Sequence, residues 1–178
     1  MHLWLKRLAS PMGSLLLVTD TDGILRALEF ADCEARMRRL LGQHYGDYVL
    51  RDDAAPAPFT QALEAYFDGR IDALERLEVA TGGTPFQRRV WTALRAIPAG
   101  RTISYGKLAA TLGVASASRA VGSANGANPI AIVVPCHRVI GANGTLTGYA
   151  GGLSRKRWLL DHEGRSASTS AGAPIPEI

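Results

Sequence analysis

Cys136 is followed directly by His137 and Arg138 and preceded by an apolar run, residues 128–135, fenced by Pro129 and Pro135. A thiol flanked by an imidazole and a guanidinium sits in the electropositive setting that lowers a cysteine's pKa and makes thiolate available near pH 7. Thiolate is a soft nucleophile, suited to a saturated carbon as well as to a carbonyl. The other cysteine, Cys33, begins an ordinary amphipathic stretch and reads as a small buried hydrophobe. With two cysteines and no CxxC pair, neither a disulfide framework nor a bound metal is expected.

Three further residues stand out against their surroundings. Arg119 is the single long polar side chain in Ala117-Ser118-Arg119-Ala120-Val121-Gly122-Ser123-Ala124-Asn125-Gly126. A helix that reads major-groove base edges needs several long donors or acceptors. Small residues suit close approach to a minor groove and to backbone, or simply tight packing on a neighbouring helix. Glu163, with Asp161, falls at the expected C-terminal end of a helix begun by Ser154, where the macrodipole disfavours negative charge. A local rule broken in this way points to function, although a solvated helix-end carboxylate reads the same. Tyr105 reads equally as a core aromatic or as a hydroxyl donor, and Asn128, before Pro129, reads first as a turn residue.

The elements that must position these residues follow from periodicity and punctuation. Residues 3–8, 15–19 and 24–30 read as strands, with Asp22-Gly23 as a hairpin turn, and residues 33–45 and 59–67 as helices. A three-stranded antiparallel meander with two helices is therefore expected, with a bend over 52–58. Thr84-Pro85-Phe86-Gln87 supplies an N-cap, a Pro at the first helical position and a capping-box Gln, so a helix starts there and ends at Pro98-Ala99-Gly100. Ser104 caps a helix over 105–112, Gly113 breaks it, and Ser116 caps a second over 117–125, the spacing of a helix-turn-helix. The 128–135 run reads as a fully buried strand that delivers Cys136. Residues 165–178 are small and polar enough to be a loose tail.

The chain is 178 residues long with 47% hydrophobic and 20% charged residues, a globular composition with no stretch long and apolar enough to span a membrane. The fold class is α/β (α+β): a small N-terminal sheet unit with helices over 1–81, then a mainly helical helix-turn-helix unit over 84–164 that carries the nucleophile. The formal net charge of +4 suits a polyanionic partner without requiring one. Lys6, Arg7 and Pro11 interrupt any signal-peptide h-region, so a cytoplasmic location is expected. These residues leave a cysteine hydrolase using Cys136 and His137 open, and also a helix-turn-helix DNA-binding protein with a structural cysteine. Adjacent residues at a strand end seldom point together, which weakens the first. The small-residue second helix weakens the other.

Pro135-Cys136-His137-Arg138-Val139 resembles the active-site signature of the O6-alkylguanine-DNA alkyltransferases. Thr84-Pro85-Phe86-Gln87, Ile103-Ser104-Tyr105-Gly106, Arg119-Ala120-Val121-Gly122, Asn128-Pro129, Gly148-Tyr149-Ala150-Gly151-Gly152, Lys156-Arg157-Trp158-Leu159-Leu160 and His162-Glu163-Gly164 are similar to that family in the same order. The resemblance covers residues 84–164; residues 1–81 match only in general style, as a ribonuclease H-like scaffold. It implies a suicide repair protein without a cofactor: the lesion is flipped out of double-stranded DNA approached from the minor groove, largely without sequence preference, and Cys136 takes the alkyl group irreversibly. It further implies that His137 acts as base through a bridging water, that Glu163 orients His137, and that Tyr105 donates to guanine N3. Arg119 would fill the vacated stack beside Ser116, while Asn128 fixes the backbone before the nucleophile. Backbone groups of Cys136, Val139, Tyr149 and Ala150 would line the pocket. Ala150 stands where some relatives carry Ser, which removes a hydroxyl contact to O6. Small residues at Ala131 and Ala150 leave room for larger adducts and for O4-alkylthymine. A monomer is expected.

Overall fold

The computed structural model describes residues 1–52 and 57–171. The N-terminal alternations form β1 (His2–Leu8), β2 (Leu15–Asp20) and β3 (Leu25–Phe30), an antiparallel meander. Gly23, at φ 77, closes the β2–β3 turn, and the Asp20 carboxylate accepts from the Asp22 and Ile24 amides at 3.0 and 2.9 Å. The helices α1 (Glu34–Tyr45) and α2 (Ala57–Phe67) fall where expected. Between them lies a strand the sequence did not reveal, β4 (Val49–Asp52), which pairs in parallel with β1 and gives the order β3-β2-β1-β4. Its four residues are mostly exposed and carry no apolar alternation to read. The expected bend over 52–58 falls largely outside the described residues.

β2 is buried on both faces, and its period of two divides the interior. Leu15 and Leu17 enter the larger core, shared with the C-terminal half, whereas Leu16 and Val18 join Leu3, Leu5, Met37 and Leu41 beneath α1. β3 lies at the sheet edge, where unpaired backbone groups need cover. Two later segments supply it. The Leu25 amide donates to the Glu78 carbonyl and the Ala80 amide to the Leu25 carbonyl, at 3.3 and 3.0 Å. The Leu28 amide donates to the Pro129 carbonyl and the Ala131 amide to the Leu28 carbonyl, at 3.1 and 2.8 Å. The N-terminal sheet thereby grips the segment that leads to Cys136.

The second half begins with α3 (Pro85–Arg95), whose Thr84–Gln87 capping box forms as its residues require. β5 (Ile103–Ser104) leads into α4 (Tyr105–Thr111), capped by the Ser104 hydroxyl accepting from the Lys107 amide at 3.1 Å. α5 (Ser118–Gly126) completes the helix-turn-helix. Ser116 is not its cap: the chain enters through a 3-10 turn, Ala115–Ala117, and the Ala117 amide donates to the Val114 carbonyl at 2.7 Å, so the entry is closed by backbone alone. β6 (Val139–Ile140) pairs in parallel with β5, and α6 (Leu153–Ala171) closes the chain.

Two expectations are corrected here. The run over 128–135 is buried as expected but is not a strand; it folds into tight turns with a single bridge, Ile130 to Leu28, and Ile132 adopts a φ of 68. A β-branched residue in the left-handed region is an outlier, of order 1–3 kcal/mol, that persists only where its surroundings over-determine it. α6 does not end near Glu163 but runs on to Ala171, through residues expected to be loose. Packing overrides composition there: the loop at Gly100 lies so close that a Cβ at Gly100 would stand 2.8 Å from the Ala167 methyl. Residues 172–178 of the expected tail lie outside the described residues.

Leu28 is fully buried and shares its backbone with the turn before Cys136. Leu28→Ala should lower stability by about 2–5 kcal/mol through lost burial and a residual cavity. Urea denaturation should show a reduced midpoint at an unchanged slope, and an unmoved midpoint would place Leu28 outside the cooperative core.

Candidate active site

Cys136 opens a one-turn 3-10 helix, Cys136–Arg138, whose side chains are all buried. Asn128 builds the turn that delivers it. The Asn128 amide donates to the Val134 and Ile130 carbonyls at 2.8 and 3.3 Å, and its Oδ1 accepts from the Ile130 amide at 3.0 Å. One side chain thus replaces the ladder bonds that a strand would have made.

Behind the thiol lies a buried acid–base cluster. His137 Nε2 is 2.8 Å from Glu163 Oε1, and its Nδ1, also buried, has no hydrogen-bond partner among the described residues. Arg138 grips the same carboxylate with two bonds, Nε to Oε2 at 3.0 Å and Nη2 to Oε1 at 2.9 Å, and gives Nη1 to the Ile97 carbonyl at 2.6 Å. The Tyr66 hydroxyl donates to Oε1 at 2.8 Å and the Gly100 amide to Oε2 at 3.3 Å. Burial opposes ionisation of Glu163, but His137 and Arg138 outweigh it and hold the carboxyl well below the usual carboxylate range. Burial lowers His137 by more than Glu163 raises it, so the imidazole rests neutral. An ionised Glu163 takes the Nε2 proton as its hydrogen bond, which leaves Nδ1 as the basic nitrogen.

The expected low-pKa thiol is corrected by this geometry. Burial pushes the Cys136 thiol up, and Asn128, Arg36 and Lys156 offset only part of that. Arg138, the cation that adjacency suggested, is turned away onto Glu163. The resting group is therefore a thiol that needs a base. Glu163 is corrected too: it lies in the interior of α6, so the helix-end argument that singled it out does not apply.

Cys136, Asn128, Tyr149 and Ala150 share one pocket wall with Ala131, Asn125 and the ion pair of Glu29 and Arg36. The free space is about 10 Å³, room for about one water. The 148–152 loop lies flat on the N-terminal sheet because Gly151 has no side chain: a Cβ there would meet the Phe30 ring at 2.5 Å. Arg155 holds it, donating to the Gly151 carbonyl at 3.1 Å and to both Asp32 oxygens at 2.9 and 3.0 Å, with its guanidinium 4.2 Å from the Phe30 ring centre. The Tyr149 ring meets Phe30 edge-on, and its buried hydroxyl has no hydrogen-bond partner among the described residues. The half-buried Tyr105 donates to the Thr147 carbonyl at 3.2 Å, and Val139 is buried with its carbonyl bound by Lys156. Ser116 and Arg119 are exposed on the helix-turn-helix and are not part of the pocket wall.

Four participants were not singled out by sequence. Arg36 reaches from α1 to the Gly126 and Asn128 carbonyls, at 2.5 and 3.1 Å, and pairs with Glu29. Asn125 donates to the Cys136 carbonyl at 3.4 Å while its Oδ1 has no partner among the described residues. Lys156 is fully buried, donates to the Val139 and Thr147 carbonyls at 2.6 and 2.8 Å, and is brought down to about 8 by burial. Tyr66 comes from the unit read as mere scaffold. A signal existed for Lys156: residues 156, 159 and 163 share one helical face, and a Lys and a Glu on an otherwise apolar face ask for partners.

Family models for 6-O-methylguanine DNA methyltransferase match twice, the ribonuclease-like domain over residues 6–81 and the DNA binding domain over 85–165. The chain is 55% identical over 161 residues to the methylated-DNA–protein-cysteine methyltransferase of Salmonella typhimurium, covering 89% of this chain and 94% of that one. Among solved structures it is similar to Mycobacterium tuberculosis OGT in complex with DNA, with a TM-score of 0.75 and 40% identity over 93% of this chain and 94% of that one. It is also similar to the O6-methylguanine-DNA methyltransferase of Pyrococcus kodakaraensis, with a TM-score of 0.73 and 28% identity over 91% of this chain and 99% of that one.

Because Glu163 is held below its ordinary value of 4.5, its ionised form contributes stability at neutral pH that is lost as pH falls below that value. Glu163→Gln should cost about 3–5 kcal/mol at pH 7, since Arg138 is then buried without its counter-charge. It should also flatten the decline on acidification. Chemical denaturation at pH 7 and pH 3 measures both, and unchanged acid sensitivity would assign the titration to another group.

Proposed function

The chain belongs to the 6-O-methylguanine DNA methyltransferase family, and on that premise we propose how its own residues carry out direct-reversal repair, the transfer of an alkyl group from O6-alkylguanine in DNA to Cys136. The observation that carries the reading is a buried thiol in a pocket wall, followed on the same one-turn helix by a neutral His137 whose Nε2 is tied to Glu163 and whose Nδ1 has no partner among the described residues. His137 Nδ1 takes the thiol proton through a bridging water as Sγ attacks the alkyl carbon. The S–C bond forms as the C–O6 bond breaks, and the bonding pair leaves on O6. Tyr105 donates toward guanine N3 and disperses that charge, and the proton that His137 took returns through water to neutralise the guanine. A thioether is not hydrolysed, so each chain reacts once. A hydrolase would need an acyl-enzyme and a water to release it, which this chemistry does not use.

DNA is the partner. Affinity comes from phosphate contacts of the helix-turn-helix, and α5, with Arg119 exposed in its first turn, Ser116 exposed on the 3-10 turn before it and small residues along it, approaches the minor groove with little sequence preference. Arg119 enters the stack vacated by the flipped base. Asn128 holds the nucleophile turn, and Val139, Tyr149 and Ala150 border the base. Ala131 and Ala150 leave space for adducts larger than methyl and for O4-alkylthymine. Residues 1–81 and 84–164 act as one monomer in the reducing cytoplasm, where the thiol persists.

After incubation with duplex DNA carrying O6-methylguanine, mass spectrometry should find one methyl group per chain, on the Cys136 peptide. Cys136→Ala should abolish transfer and keep DNA binding; loss of both together would make Cys136 a structural residue. Arg119→Ala should slow repair of duplex DNA by about tenfold or more while leaving the reaction with free O6-benzylguanine unchanged, since only a duplex has a stack to fill. Equal slowing on both substrates would remove the flipping role.

A further inference from the structure

We propose that Tyr66, on α2 of the N-terminal unit, is a positioning residue for alkyl transfer: its hydroxyl, through Glu163, sets both the orientation and the basicity of His137. The proposal rests on the proton relay from Cys136 to His137 described above. Tyr66 is fully buried, and two successive residues of α6 hold it. Glu163 Oε1 accepts its hydroxyl at 2.8 Å, and His162 Nε2 lies 2.7 Å from its backbone carbonyl, with the His162 and Tyr66 ring centres 5.1 Å apart.

Oε1 is the oxygen that also faces His137, and its lone pairs are divided among Tyr66, His137 and Arg138. Each donor disperses part of the same negative charge, so the bond Tyr66 makes sets how strongly Oε1 draws the Nε2 proton and stabilises imidazolium. The groups facing His137 are Glu163 and Lys156 of α6 and Arg138 of its own turn. Those facing the Tyr66 hydroxyl are Glu163, Arg138 and Tyr149. Burial, with Glu163 beside it, keeps the Tyr66 phenol well above its ordinary value, so it stays a donor across the working pH range. Each of the three Arg138 nitrogens already makes a bond of its own, to Glu163 or to the Ile97 carbonyl, so the Tyr66 hydroxyl is a donor separate from them.

Tyr66→Phe removes the donor and keeps the ring. The bare Oε1 then pulls harder on Nε2–H and His137 becomes easier to protonate, so the acid limb of the pH–rate profile moves to higher pH. With free O6-benzylguanine in single-turnover reactions, normalised to titratable Cys136, transfer at pH 7 should slow by about tenfold, a part of the 10²–10⁴-fold that a whole general base supplies. The limb should rise by about half a pH unit or more. The deficit should shrink at alkaline pH, where the thiol ionises without help. Replacing Tyr66 by 3,5-difluorotyrosine, a stronger donor of nearly the same size, should move the limb the opposite way and serves if Tyr66→Phe fails to fold. His162→Phe loses only the backbone grip and should lower the thermal midpoint while leaving the limb in place. A Tyr66→Phe protein with fewer active molecules but a wild-type rate and limb overturns the proposal, as does a limb indifferent to fluorination. His137→Gln, run in parallel, separates the two failures: if it leaves the acid limb intact, the relay falls and the inference with it, whereas a limb that depends on His137 but ignores Tyr66 sinks the inference alone.

Discussion

A carboxylate in a protein interior must be matched by donors, and the requirement of Glu163 organises much of this molecule. Leaving such a group unpaired costs several kcal/mol, so its surroundings are constrained more tightly than those of any apolar neighbour. Four residues from three places in the chain supply the donors: Tyr66 on α2, Gly100 in the loop after α3, and His137 and Arg138 on the turn that begins with Cys136. Satisfying one side chain of α6 therefore fixes three other segments relative to it. The same bonds that make the burial tolerable leave His137 with a defined tautomer, so stability and reactivity draw on one group.

The N-terminal unit is more than a platform in this arrangement. Its edge strand β3 holds the 128–135 turns by backbone hydrogen bonds through Leu28. Arg36 ties α1 to the end of α5 and to Asn128, and Glu29, its partner, borders the same pocket as Cys136. Phe30 and Asp32 seat the 148–152 loop through Gly151 and Arg155. The pocket is thus walled from both halves of the chain, and a chemistry that appears local to five consecutive residues is assembled by contacts between residues about 100 positions apart.

Burial also revises the electrostatics of the nucleophile. Adjacency in sequence places Arg138 next to Cys136, but successive residues on a 3-10 turn project in different directions, and the guanidinium goes to the carboxylate behind. The thiol is left to Asn128, Arg36 and Lys156, which together offset only part of its desolvation. A thiol that stays protonated until a base and a substrate are in place suits a protein that spends its nucleophile in one reaction.

The sequence by itself determined what depends on neighbours a few residues apart. The Thr84–Gln87 capping box, the Asp22-Gly23 turn, the Ser104 cap and the period-two strands β1 to β3 each rest on a bond or a face that local spacing defines, and the motif around Cys136 marked the reactive segment. Tertiary structure decided the rest. Residues 128–135 read as a strand because a continuous apolar run states only that it is buried; whether it extends or turns was settled by the Asn128 amide and by the free edge of β3. Ser116 had the right chemistry for a cap, but backbone closure of the preceding turn left it no amide to accept from. α6 continues past Glu163 and sets Ala167 against the loop at Gly100, a contact no local propensity encodes. Lys156 left a signal, a charge on an otherwise apolar helix face, whereas Tyr66, Arg36 and Asn125 left none: each is an unexceptional residue in its own helix, and its role arises only when a partner distant in the chain presents a buried charge or carbonyl.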